Sequence, residues 1–228
     1  MYTNVNLAAP LGALAFLGTG LLLLVVGLVL IYSVIGKKFR LTKFALLTVA
    51  LVAGLYLAIL LTFSLASGES VIAQGNEKHF CEIDCHLAYS VTDVREMKTI
   101  GEAPNQLTAA GLFHVITIKT RFDESTIGPQ RGNGLLYPNS RVITVSDQIG
   151  NQYPASVEAQ DVLEKARAAG TSMTTPLRPG ESYSTTLVFD LPADSRNPTL
   201  LIREGEFITH LVIGHENSFL HKKTRFQI

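Results

Sequence analysis

The chain has 228 residues, with 19 basic and 19 acidic side chains and a formal net charge of zero. That balance, with no run of Lys and Arg, argues against a nucleic-acid partner. Hydrophobic residues make up 47% of the sequence, but the excess is concentrated in the first 67 residues, so the chain does not read as one evenly mixed globule. Residues 1–36 carry no charged side chain, and neither do residues 44–67. Between them lie Lys37, Lys38, Arg40 and Lys43. Each uncharged stretch exceeds the ~20 apolar residues that a helix needs to cross a bilayer. The sequence therefore predicts a transmembrane helical hairpin over residues 1–67, with spans at about 7–35 and 44–67. The excess of Lys and Arg places the loop in the cytoplasm and both termini outside. A cleaved secretory signal fits poorly, because residues 1–7 hold no Lys or Arg and the apolar run is too long. Small residues (Gly12, Gly18, Gly20 and Gly27 on the first helix; Ala50, Ala53, Gly54 and Ala58 on the second) predict close helix packing. The lack of charge within either span argues against a proton or ion pathway.

Residues 68–78 read as a polar linker leading to a Cys/His segment that ends at residue 86. Residues 87–228 read as one mostly β domain. Strands are expected at 87–94 and 111–120, where apolar and polar residues alternate, and at 141–146. Asp147-Gln-Ile-Gly-Asn151 has turn chemistry, and Gln152 and Tyr153 resume an extended chain. A helix is expected at 161–170, with Asp161 and Glu164 at capping-box spacing and Gly170 as its stop. Arg178-Pro-Gly-Glu181 is a turn before a strand over 182–190. Further strands are expected at 200–202, 208–213 and 223–228. Phe113, Val115, Val145, Leu187 and Phe189 are the expected core. Many short strands with one small helix suggest a β-sandwich, with an extended barrel as the alternative.

Several segments support a resemblance. The strand Gly111-Leu-Phe-His-Val-Ile-Thr-Ile-Lys-Thr is followed by Asp-Gln-Ile-Gly-Asn-Gln-Tyr and by Arg-Pro-Gly-Glu leading into Val-Phe-Asp-Leu-Pro. This order resembles bacterial extracytoplasmic immunoglobulin-like domains carried behind a membrane anchor, over about residues 87–203. The resemblance implies an all-β immunoglobulin-like sandwich and says almost nothing about activity.

The one chemically loaded segment is His79-Phe80-Cys81-Glu82-Ile83-Asp84-Cys85-His86. It contains both cysteines and two of the six histidines. Three readings are open. A structural disulfide suits an oxidising compartment, but residues four apart on an extended strand are ~13 Å apart, so it requires a turned or coiled segment. A metal site suits thiolates beside imidazole, with copper or zinc as the ion. A redox thiol pair is the third reading, although Cys-x-x-x-Cys is not the thioredoxin-type spacing. The segment also resembles the binuclear-copper loop of cytochrome c oxidase subunit II, another outward β-domain behind a two-helix hairpin. Here Glu82 and Ile83 are shifted by one position, and His86 directly follows Cys85. The resemblance hints at copper handling and implies no electron-transfer role.

The metal reading takes Cys81, Cys85, His86 and His79 as ligands, with Glu82, Asp84, His215, Glu216 and His221 as additional groups. His215, Glu216 and His221 read otherwise as a polar loop between two strands, and His114 as a core histidine. Asp123 reads as a turn or edge residue. No Gly-x-Ser-x-Gly elbow and no phosphate-binding loop occurs, so no enzymatic activity is expected. The expected protein is a membrane-anchored accessory or binding module on the periplasmic side of a bacterial cytoplasmic membrane. It would present copper or another thiophilic metal. The alternative is a structural subunit of a membrane protein complex, with the cysteines as a bracing disulfide.

Overall fold

The computed structural model describes residues 2–3, 8–80, 86–128 and 130–228. They fall into two compact units. A helical unit comprises residues 5–68 and 206–222, and a β unit comprises residues 1–4, 69–205 and 223–228.

In the helical unit, α1 (Ala8–Ile35) and α2 (Phe39–Leu65) form an antiparallel hairpin. Leu11–Ile35 and Phe39–Leu65, of 25 and 27 residues, are long and apolar enough to cross a membrane. Their large apolar side chains, among them Leu14, Leu21, Leu28, Leu47, Leu51 and Leu55, are exposed. The connection turns through Lys37, whose φ of 53° lies in the left-handed region. Lys38 N–H bonds to the Ser33 carbonyl at 2.8 Å. Ser33 Oγ and Thr42 Oγ1 join the helices at 2.9 Å. Four of the glycines expected in a small-residue seam do not pack closely: a Cβ added at Gly18, Gly20, Gly27 or Gly54 would meet nothing within 4 Å. These glycines face open space. Gly12 alone of the five is tightly packed, and its neighbour is the Ile213 carbonyl.

Residues 208–213, expected as a strand, are not one. Phe207–Leu211 is a short 3-10 helix. Thr209 N–H and Oγ1 both bond to the Glu206 carbonyl, at 3.3 and 2.6 Å. Local turn bonds therefore replace the ladder that the β-branched run suggested.

The β unit is a sandwich of two five-stranded sheets. The first sheet has the order β1 (Tyr2–Thr3), β3 (Lys78–Phe80), β4 (Leu87–Ile100), β5 (Leu107–Phe122) and β8 (Ser182–Leu191). The second has the order β2 (Ser70–Ile72), β10 (Thr224–Gln227), β9 (Thr199–Glu204), β6 (Arg141–Ser146) and β7 (Gln152–Pro154). Residues 70–72 and 78–80, read from sequence as linker, are thus strands of the two sheets. The turn before β7 forms as expected. Asp147 Oδ1 accepts from the N–H groups of Ile149 and Asn151, Gly150 has φ 90°, and Tyr153 donates to Asp147 Oδ2 at 3.0 Å.

Two apolar clusters stabilise the unit, on opposite faces of the first sheet. Between the sheets, Phe80, Tyr89, Ile116, Ile118, Phe122, Val145 and Phe189 are buried together, with Leu187 packed partly against them. On the other face, Phe113, Val115 and Val188 are covered by α3 (Val157–Lys165) through Ala159 and Leu163. The five expected core residues are divided between these layers. The helix begins four residues earlier than expected. Ser156 is its N-cap and accepts from Ala159 N–H at 3.3 Å, and the helix stops at Lys165, short of Gly170. The long aliphatic stem of Lys78 runs between the sheets, where its ammonium donates to the carbonyls of Ile202 and Thr224 at 3.3 and 3.1 Å.

Candidate functional site

β3 and β4 are antiparallel neighbours, with Phe80 opposite Leu87. The Cys/His segment therefore connects two paired strand ends. Cys81, Glu82, Asp84 and Cys85 lie outside the described residues. Its flanking histidines are described, and both reach the same turn after β5.

Strand pairing explains this convergence. His79 lies opposite Ala88, and Ala88 lies opposite Arg121. Directly paired residues share a face of the sheet, as do residues two apart along a strand. Glu77, His79, Arg121 and Asp123 therefore fall on one face, the face opposite the Phe80–Leu87–Phe122 row. Arg121 donates to both Glu77 carboxylate oxygens at 2.7 Å, as a fork. It also donates to Asp123 Oδ1 at 3.2 Å. The same Oδ1 accepts from Ser125 N–H at 3.0 Å and from Ser125 Oγ at 2.7 Å. Asp123 Oδ2 lies 2.9 Å from His79 Nε2. His86 is held beside them: Asp123 N–H bonds to its carbonyl at 2.7 Å, Thr126 Oγ1 lies 2.5 Å from its Nδ1, and its ring stacks on Phe122.

His79 is 2% exposed. An ionised carboxylate only accepts, so Nε2 carries a proton toward Asp123. Nδ1 is buried and has no hydrogen-bond partner among the described residues. Glu77, His79 and Asp123 bring three ligand-type atoms within 4.8 Å of one another. The Arg121 guanidinium already bonds to both carboxylates, so these three groups read first as an ion-pair network. An open cavity of about 720 Å³ lies beside it, walled by Glu77, His79, Arg121, Asp123 and Ser125.

Burial alone would raise the Asp123 pKa. Hydrogen bonds from Ser125, His79 and Arg121 outweigh it and hold the carboxyl well below the usual range. The bond from Arg121 lowers Glu77 too, against a smaller effect of burial. Both groups bind a proton more weakly folded than unfolded. Their stabilisation is complete above the unfolded values near pH 4 and is withdrawn as pH falls through the folded ones. His114 behaves in the same sense at higher pH: burial depresses its pKa, opposed in part by Glu96, so its share is lost from about pH 6.5 downward. Urea unfolding of the full chain in detergent, followed by circular dichroism across this range, should show a two-step loss of stability on acidification. Asp123→Asn should flatten the lower step. A flat profile between pH 4 and 3 in the parent would contradict this electrostatic picture.

His215, Glu216 and His221 belong to the helical unit, where they are packed locally. His215 Nδ1 accepts from Asn217 N–H at 3.0 Å, and His221 Nδ1 lies 2.7 Å from the Lys222 carbonyl. Glu77, Arg121 and Asp123 were not among the site residues expected from sequence. Their signal is two complementary pairs at strand period, Glu77-x-His79 and Arg121-x-Asp123, placed 44 residues apart.

No family model matches the chain, and no curated protein does. Two solved structures are similar to it at a distance. A secreted protein from Mycobacterium tuberculosis, MPT63, aligns at 11% identity with a TM-score of 0.43, over 72% of this chain and all of that one. A conserved hypothetical protein from Bacillus anthracis aligns at 15% identity with a TM-score of 0.38, over 51% of this chain and 82% of that one. Both likenesses are too remote to bear on function.

Proposed function

We propose that the chain is a membrane-anchored binding module that holds a thiophilic metal, copper first, through Cys81, Cys85, His79 and His86. The hairpin anchors it in a bacterial cytoplasmic membrane, and the β unit, an immunoglobulin-like sandwich, faces the periplasm. The observation that supports the metal is the setting of His79: Asp123 holds one ring nitrogen, and the other is buried with no hydrogen-bond partner among the described residues. A carboxylate behind an imidazole is the usual outer support of a metal ligand, and its loss typically costs ten- to a hundred-fold in affinity.

The test is metal content of the full chain, purified in detergent, loaded with copper and desalted. Near one equivalent per chain is expected. Cys81→Ser and His79→Ala should abolish retention, and Asp123→Asn should weaken it about ten-fold or more. A metal-free chain that also lacks free thiols would instead favour the second reading, a bracing disulfide. That reading is supported by the contacts of Asp123 with His79 and His86, which tie both ends of the segment to the turn after β5.

Topology is tested separately. In a background with Cys81 and Cys85 replaced by Ser, a cysteine at Lys38 should resist an impermeant thiol reagent in intact cells, and one at Glu69 should react. The opposite pattern would invert the anchor.

A further inference from the structure

Residues 206–222 break the usual rule of apolar inside and polar outside. His215, Glu216, Asn217 and Ser218 are buried, at 7, 7, 4 and 1% exposure. Phe207, Ile208, Phe219 and Leu220 are exposed, at 68, 52, 41 and 68%. In water that arrangement leaves a large apolar edge uncovered. His215, Asn217 and Ser218 bond within the segment, whereas Oε2 of Glu216 is buried without a hydrogen bond among the described residues. Asn217 Nδ2 donates to Thr209 Oγ1 at 2.6 Å, Ser218 Oγ donates to the Val212 carbonyl, and Phe219 N–H bonds to the His210 carbonyl at 3.1 Å.

The segment sits on the hairpin at a definable depth. Tyr56 donates to the Leu211 carbonyl at 2.6 Å, and the Ile213 carbonyl fills the space where a Gly12 Cβ would stand. Just beyond the end of α2, Lys222 N–H bonds to Ser67 Oγ at 2.8 Å. Tyr56 is about 20 Å along the helix from Lys43, at 1.5 Å per residue. The hydrocarbon layer is about 30 Å thick. With Lys43 at one boundary, the Tyr56–Leu211 contact lies roughly 10 Å inside the other. Non-helical backbone survives at that depth only when its polar groups are satisfied within protein, and polar side chains there turn inward.

We infer that residues 206–222 form a re-entrant pad that enters the outer half of the bilayer with the hairpin and presents Phe207, Ile208, Phe219 and Leu220 to lipid acyl chains. This rests on the reading of the hairpin as a membrane anchor. The chain has no Trp, so single Trp replacements report depth without background. The full chain is reconstituted in phosphatidylcholine vesicles carrying nitroxides on the acyl chains, as Phe219→Trp, Phe207→Trp, Leu24→Trp within α1, and Tyr137→Trp on the β unit. The pad predicts strong quenching at 219, 207 and 24 and little at 137. Quenching at 24 with none at 219 or 207, both of them open instead to aqueous iodide, would overturn the pad and leave the anchor intact. Loss of quenching at 24 as well would overturn both.

Discussion

Replacing Phe189 by alanine is expected to lower the stability of the protein by about 3–5 kcal/mol, the usual cost of emptying a fully buried phenylalanine site. Phe189 has no exposed surface and lies in the layer between the sheets with Ile116, Ile118 and Leu191. It pairs across the strands with His114, so relaxation of β8 alone cannot close the cavity. Urea unfolding of the full chain in detergent, followed by the strand signal in circular dichroism, measures the difference. A loss below about 1 kcal/mol would place the ring outside the core.

The second large effect is expected at Asp123. Alanine there removes the acceptor for His79, Arg121 and Ser125 together. Breaking a buried charged pair by deleting one partner costs about 3–5 kcal/mol. The lower end, about 3 kcal/mol, is expected here, because Arg121 remains paired with Glu77 and its side chain is 27% exposed. Asparagine keeps an acceptor for Ser125 and should cost less. A cost for alanine similar to that of an exposed salt bridge, below about 1 kcal/mol, would mean that the network only decorates the surface.

Strands with alternating or β-branched runs bounded by turn residues were legible in the sequence. Residues 141–146 formed as expected, and 182–190 extended by one residue, because their local preference agrees with their place in the sheets. The misses arose where local pattern and tertiary setting diverge. Thr209 and Ile213 look β-branched and apolar, yet their segment packs on helices and has no strand to pair with. Ser156 caps α3, although Asp161 offered a stronger sequence signal, since capping depends on where the chain leaves β7. Residues 68–78 looked like linker because β2 and β3 are only three residues each and Lys78 sits in the second of them. The buried lysine could be anticipated only by knowing that carbonyls of Ile202 and Thr224 lie across the gap. Half of the site was visible as His79 and His86. The other half, Glu77, Arg121 and Asp123, was hidden because charged residues near turns are usually solvated, and only the register of β3, β4 and β5 brings them together.

The pairing of β2 with β10 has a consequence for how the molecule is made. β10 lies between β2 and β9, and Ser70 bonds to Thr224 across a separation of 154 residues. Among the described residues β2 has no other strand neighbour, so its ladder cannot form until residues 224–226 have left the ribosome. Contacts of such long range are slow to form, and domains usually fold as units during synthesis. Until then β9 presents an open edge, a hazard for wrong pairing. The second sheet is therefore joined by a segment made long after β2, and a chain stopped before residue 224 would leave β2 without a strand partner and β9 paired on one side alone.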